Sequence, residues 1–249
     1  MKIKISLLVI LLFSCTAASA QNWGGGVDDE KVHFGFTFQY TSSLYKVQKK
    51  SDWRNRFIDP DSKLPITDTL SALYGKSSPG FGIGFIVNGR ISNNADIRLT
   101  PTLVFSDRLM EYDYVQPSRV NMPFSTVEQK VSATMVEFPL GIKIKSNRRN
   151  NFRAYMLYGA KYAMNIASKK KTNDDGQDYL YKLLKNRKSY ISYEAGLGMD
   201  LYFEYFKMSP EIKFSYTPGN ILDDSQPNPY NAPIDKLKLR HVTFSLFFE

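Results

Sequence analysis

The chain has 249 residues, with 33 Lys and Arg against 24 Asp and Glu, giving a formal net charge of +9. Mean hydropathy is slightly negative, at −0.34. No stretch beyond the N-terminal segment approaches the roughly 18 continuous apolar residues of a membrane-crossing helix, which excludes a helical membrane protein.

Lys2 and Lys4 begin the chain, an apolar run extends from Ile5 to Phe13, and Ala18-Ser19-Ala20 closes the segment with small residues. These are the parts of a secretory signal peptide, with cleavage expected before Gln21. The run is too short to span a bilayer. Cys15 after Leu12-Phe13-Ser14 loosely suggests a lipoprotein site instead, which bulky Phe13 fits poorly. Residues 1–20 are therefore read as leader and 21–249 as one domain. Loss of Lys2 and Lys4 takes the net charge from +9 to +7. Cys15 is the only cysteine, so the exported part has none for a disulfide or a thiolate metal site.

The exported part alternates with period two, the signature of strands with two unlike faces. Residues 32–40 set Val32, Phe34, Phe36, Phe38 and Tyr40 against His33, Gly35, Thr37 and Gln39. Residues 81–88, 96–106 and 134–145 do the same, the last with Phe138, Leu140 and Ile142 against Glu137, Gly141 and Lys143. Residues 152–165, 190–204, 207–216 and the final HVTFSLFFE complete eight strands. Each is about long enough to cross a bilayer when tilted. The apolar faces are large and aromatic, and the other faces carry Gly, Ser, Thr and charge. That is the pattern of a barrel with lipid outside and polar groups within.

The connections alternate in length. The links 41–80, 107–133, 166–189 and 217–236 are long, whereas 89–95, 146–151 and 205–206 are short. Outer-membrane barrels have tight periplasmic turns and free extracellular loops. The expected fold is thus all-β, an eight-stranded antiparallel transmembrane β-barrel of the outer membrane, crossing it many times. Pro101, Pro139 and Pro210 fall inside strands and should sit at rims or bulges, because each lacks a ladder donor.

A barrel of eight strands is just wide enough for side chains to fill it. Antiparallel registration brings Glu137, Lys161 and Glu194 to similar heights in the upper lumen. Lower down, Arg153 should approach Asp200 or Glu204. Such groups either satisfy one another or line a proton or substrate path. Gly196 and Gly198 leave room for long side chains from neighbouring strands. His33 and His241 should lie at different levels and read as ordinary lumen hydrogen-bonders.

Motifs for catalysis or cofactors are not found: there is no HExxH, Walker loop or nucleophile elbow. Gly80-Phe81-Gly82-Ile83-Gly84 lacks dinucleotide spacing, and Asp174-Asp175-Gly176 lacks the later acid of a calcium loop. No metal or cofactor is expected. The third long loop carries Lys169, Lys170, Lys171, Lys182, Lys185, Arg187 and Lys188. Facing outward, it would meet lipopolysaccharide phosphates, which Lys binds as a point charge. A plain solvated loop is the alternative. Export leaves nucleic acid without support as a partner.

Four segments carry a more specific likeness: LTPTLVFSDRLMEYDY (99–114), VEFPLGIKIKSNRRNNFRAYMLYGAKYAMNIASKK (136–170), SYEAGLGMDLYFEYFKMSPEIKFS (192–215) and the closing LKLRHVTFSLFFE. They resemble the PorT family of Bacteroidetes outer-membrane barrels, called SprT in gliding species, over most of the chain from residue 80 onward. The resemblance implies a non-enzymatic role in type IX secretion and in delivery of gliding adhesins, with other secretion components and outer-membrane lipid as partners. It supplies no catalytic residues. A structural or adhesive barrel without a secretion role, or a lipid-modifying barrel enzyme, would share the fold.

Overall fold

The structure, a computed structural model, describes residues 30–60, 62–120, 122–167, 174 and 176–249. The expected leader lies outside them. The described chain runs as ten strands: β1 Val32–Lys49, β2 Leu70–Lys76, β3 Ser78–Ser92, β4 Ala95–Leu99, β5 Thr102–Tyr114, β6 Thr126–Lys145, β7 Phe152–Asn165, β8 Ser189–Tyr202, β9 Lys207–Thr217 and β10 Ile234–Phe248. β2 continues into β3 across Ser77, and β4 into β5 across Thr100 and Pro101, since β3 and β6 each pair with both β4 and β5. The wall therefore has eight antiparallel strands. It closes where β1 pairs with β10, from Phe36↔Phe248 up to Lys49↔Ile234. Closure leaves the wall no open sheet edge to satisfy inside a bilayer.

The junction of β4 and β5 has a plain cause. Thr100 stands opposite Pro139 and donates its N–H to the Pro139 carbonyl at 3.1 Å. Phe85 likewise donates to the Pro101 carbonyl at 3.0 Å. Neither proline can return the bond. The Thr102 hydroxyl supplies the donor that Pro139 lacks, reaching the Thr100 carbonyl at 2.8 Å. Pro101 and Pro139 thus sit in the middle of the wall, not at a rim, with register kept on both sides. Pro210 pairs with Leu246 of β10, and the β8–β9 ladder is interrupted beside it.

The strands reach further outward than alternation of apolar and polar residues foretells, because the alternation reverses. In the lower part, Phe34, Phe36, Phe38, Phe85, Leu140 and Tyr193 are exposed on the outer wall, while Thr37, Arg98, Lys143 and Glu194 are buried within. In the upper part, Tyr45, Leu73, Met110, Tyr112, Val131 and Leu237 turn inward and are buried. There the outer face carries ions: Lys76 pairs with Glu111, and with Glu128 at 3.4 Å, and Lys130 pairs with Asp107 at 2.7 Å. Below the reversal the wall faces hydrocarbon. Above it the wall faces water, and the usual rule of apolar inside returns. The extracellular loops shrink accordingly to 50–69, 115–125, 166–188 and 218–233. The tight turns 93–94, 146–151 and 203–206 lie at the other end, level with Val32 and Phe248.

Candidate functional site

The lumen at membrane level is packed with ion pairs from strands on all sides. Near the periplasmic end, Lys145 Nζ meets Asp96 at 2.6 Å, and Lys207 Nζ meets Glu249 at 2.7 Å. Lys143 Nζ holds both oxygens of Asp200, at 2.6 and 2.8 Å, and the Ser209 hydroxyl donates to the same carboxylate at 2.6 Å. One layer up, Arg98 spans the barrel. Its Nη1 donates to Glu211 at 2.9 Å and its Nε to the Asn88 side-chain carbonyl at 2.9 Å. The Tyr155 hydroxyl also donates to Glu211, at 2.9 Å. Above this, Lys161 Nζ lies 2.9 Å from Glu137 and 3.3 Å from Glu194, and Lys213 reaches Glu194 at 3.1 Å. The Ser215 hydroxyl donates to Glu194 at 2.8 Å. Charges buried this deeply must be paired and hydrogen-bonded to be tolerated.

The local backbone makes room for these long side chains. A Cβ on Gly198 would fall 2.4 Å from the Tyr155 ring, so only glycine lets Tyr155 lie across the lumen to Glu211. At Gly196 the nearest neighbours are the Ile212 carbonyl at 3.1 Å and the Lys213 side chain at 3.4 Å, a looser fit. The void left between the Arg98–Glu211 and Glu194–Lys213 layers is about 10 Å³, no larger than one water needs. His241 is buried in the upper lumen with Nδ1 3.3 Å from the Ser43 hydroxyl. His33 faces Asn88 in register at the periplasmic end, so the two histidines stand at different levels.

Alternation thus brought Glu137, Lys161 and Glu194 together, on the adjacent strands β6, β7 and β8. The lower grouping needs correction. Glu204 is exposed in the turn after β8, which ends at Tyr202. Arg153 stands opposite Asp200 in the ladder, yet the Asp200 carboxylate is held by Lys143 from two strands away. Arg98, Lys143, Lys207, Glu211 and Glu249 were not anticipated as partners. Each lies on a face recognisable as polar, but its partner comes from across the barrel or from the chain's last residue.

The extracellular end is closed by its own loops. Leu184 of the third loop and Ile221, Leu222 and Tyr230 of the fourth are buried among Tyr45, Met110, Tyr112 and Leu237 of the upper wall. Tyr112 donates its hydroxyl to the Tyr230 carbonyl at 2.6 Å, and Tyr230 donates its own to the Leu180 carbonyl at 2.6 Å. Gln129 of β6 accepts the Leu184 N–H at 3.1 Å and donates to the Lys182 carbonyl at 3.3 Å. Arg187 donates its N–H to the Ile221 carbonyl at 2.8 Å, which joins the two loops.

This fold changes the reading of the basic loop. Lys169, Lys170 and Lys171 lie outside the described residues, as does Asp175. Lys185 is ion-paired with Asp174, and Lys182 Nζ donates to the Asp174 carbonyl at 3.1 Å. Arg187 and Lys188 are exposed. Two of the basic side chains therefore serve the loop's own packing, because a buried Asp174 needs counter-charge. Burial opposes ionisation of Asp174, but the Leu183 N–H, Lys185 and Lys182 outweigh it and hold the carboxyl below its ordinary value. Asp68 of the first loop behaves alike: burial is overcome by the N–H groups of Thr69 and Gln116 and by Arg56, 3.1 Å away.

A closed ring of eight antiparallel strands, with an aromatic outer belt, an ionic interior and long loops at one end only, defines a small outer-membrane β-barrel protein. The chain belongs to the family described as outer membrane protein beta-barrel domain, which it matches over residues 20–223. Among solved structures it is similar to OprG of Pseudomonas aeruginosa, at 12% identity and a TM-score of 0.42, covering 87% of this chain and 92% of that one. It is also similar to Neisserial surface protein A, at 9% identity and a TM-score of 0.37, covering 88% and 98%. The attachment invasion locus protein Ail of Yersinia pestis matches at 10% identity and a TM-score of 0.35, covering 88% and 99%. No curated protein matches the chain. Among the described residues no group of His, Cys, Asp or Glu is placed to hold a metal ion.

Proposed function

We propose that this barrel is a non-enzymatic outer-membrane component of the type IX protein secretion system, required for export of cargo proteins and, in a gliding host, of gliding adhesins. The observation that carries this reading is the block-wise likeness to the PorT family, above all the FPL…NFRAY stretch within 138–155 and YFKMSPEIKFS at 205–215. The filled lumen bears on how it would act. A folded cargo cannot pass through an interior crossed by Arg98–Glu211 and Lys143–Asp200 pairs. The barrel would therefore work by contact with other secretion components, through its loops, its lipid-facing wall or its periplasmic turns. Outer-membrane lipid and lipopolysaccharide surround it, with Arg187 and Lys188 as the outward charges of the third loop.

A second reading, a structural or adhesive barrel without a secretion role, draws support from the well-packed extracellular cap. Deleting the gene separates the two. Loss of secreted cargo is the expected result. Unchanged secretion overturns the proposal, and altered lipid A would point instead to a lipid-modifying enzyme. Pull-down of the tagged barrel from gently solubilised outer membranes should recover secretion components, and their absence counts against the reading.

A further inference from the structure

Above the reversal the outer wall is unevenly charged. On one side its cations are spent: Lys76 pairs with Glu111 and Glu128, and Lys130 with Asp107. On the other side four cations stand together without an acid. Leu237, Leu239 and His241 of β10 are buried inside. Lys236, Lys238 and Arg240 therefore project outward in a row, one at every second residue. Tyr45 of β1 is buried too, which turns Lys46 outward directly opposite Lys238. Among the described residues none of the four has an ion-pair partner, and Asp235, next to Lys236 in the chain, pairs with none of them.

Like charges directly opposite in a ladder repel, so Lys46 and Lys238 leave a place for an anion between them. Lys238 Nζ lies 5.8 Å from the Tyr216 ring, a contact that leaves its hydrogen-bond donors free. The height of this strip limits its partner. Val242 and Phe244 follow Arg240 on the same face of β10 and are exposed on the lipid-facing wall. Arg240 stands in register with Tyr216 of β9, and Tyr216 with Tyr193 of β8. Beside Arg240 lies an open hollow of about 590 Å³, walled by Tyr193, Phe214, Tyr216 and Val242, where the small Ala195 leaves space. Positive charge thus sits at the upper edge of the apolar belt, with an apolar recess next to it.

We propose that this strip binds the phosphorylated lipid A of lipopolysaccharide, its phosphate against Lys46, Lys238 and Arg240 and an acyl chain in the hollow. An anionic lipid of the outer leaflet carries phosphate directly above its acyl chains, the same order as the cations and the hollow on the wall. Arg grips two phosphate oxygens at once and Lys meets them as a point charge. The long stems of both lie along apolar surface while their heads reach the polar layer. An acidic protein would answer the charge but not the hollow. The strip belongs to β1 and β10 and is separate from Arg187 and Lys188 of the third loop. It rests on the outer-membrane placement of the wall and is independent of the secretion role.

The full exported chain, folded in detergent, should be titrated with diphosphoryl lipid A and the bound lipid counted by native mass spectrometry. Dephosphorylated lipid A, inorganic phosphate and polyglutamate serve as comparators. Lipid A is expected to bind, weakened about tenfold or more by Lys238→Gln with Arg240→Gln and unchanged by Lys130→Gln on the opposite side. Heat-modifiable migration confirms the closed barrel in each variant. In lipid-free detergent Lys238→Gln should unfold in urea no earlier than the parent, because it relieves the repulsion from Lys46. Earlier unfolding would overturn the proposal, since Lys238 would then already have a partner within the protein. It is also overturned if dephosphorylated lipid A binds as tightly, if inorganic phosphate displaces lipid A at equal concentration, or if the double variant binds like the parent. Tighter binding of polyglutamate than of lipid A would assign the strip to an acidic protein instead.

Discussion

Tyr112 on β5 donates its hydroxyl to the Tyr230 carbonyl of the fourth loop at 2.6 Å, with the two rings edge to face at 5.2 Å. Both residues are fully buried. This contact joins the wall to the cap and marks where the barrel stops behaving as a membrane protein. Tyr112→Ala removes a buried ring and a hydrogen bond, at about 3–5 kcal/mol for the region around it. The lower barrel is lined by ion pairs that do not touch Tyr112. The expected outcome is a cap that protease cuts on intact cells within 166–188 or 218–233, while heat-modifiable migration on gels still reports a closed barrel. Loss of the closed barrel together with the cap would show that the two halves are one cooperative unit.

Lys161 lies between Glu137 and Glu194. Lys161→Met leaves Glu137 without its ammonium and should destabilise the barrel by about 3–5 kcal/mol, the range for an orphaned partner of a buried pair. Glu194 keeps Lys213 and the Ser215 hydroxyl. Adding Glu137→Gln to Lys161→Met should therefore restore much of the loss, because the remaining acid is still paired. The urea midpoint of the folded band measures both. A double variant no better than the single one would mean that Glu194 depends on Lys161 more than on Lys213.

The first three members of the lumen network were readable from alternation because β6, β7 and β8 are neighbours, and antiparallel register fixes relative heights. Arg98–Glu211 was not readable, because β4 and β9 are not adjacent and only the closed curvature of the wall brings them together. The upper wall was hidden for a different reason. At Tyr45, Val47, Met110 and Tyr112 the apolar residues move to the inward face, so a pattern sought as apolar-out ends there and the strand looks like loop. The prolines misled too. Pro139 is tolerated in mid-wall because Thr102 supplies a hydroxyl to the Thr100 carbonyl, a substitution visible only with the neighbouring strand in place.

Asp174 makes the cap sensitive to acid. Its carboxyl is held below the ordinary value of 3.8 by the Leu183 N–H, Lys185 and Lys182 against the opposing effect of burial. A depressed folded value means the stabilisation is fully present above the ordinary value and is lost as pH falls through the lowered one. The cap should be unchanged between pH 7 and 5 and should loosen below about pH 4, read as protease sensitivity of the third loop. Asp174→Asn should loosen it at pH 7 and flatten the acid response. An acid response that persists in Asp174→Asn would assign the titration to another group, with Asp68 the first to test.

Asp200 and Glu204 stand four residues apart on one segment and should respond very unequally to loss of charge. Asp200 is buried, with Lys143 on both oxygens and Ser209 donating to one of them. Asp200→Asn leaves Lys143 charged in the lumen without its carboxylate, and the expected loss is about 3–5 kcal/mol. Glu204 is exposed in the turn beyond β8, where neutralisation should change stability by no more than about 0.5 kcal/mol. Measuring the urea midpoints of Asp200→Asn and Glu204→Gln side by side tests the placement directly, since both remove one charge from the same stretch of sequence. Equal effects would mean that Glu204 reaches into the lumen and that β8 runs further than Tyr202. A large loss for Asp200 alone fixes the periplasmic end of the barrel lumen near that residue, where the Lys143 ammonium needs its carboxylate.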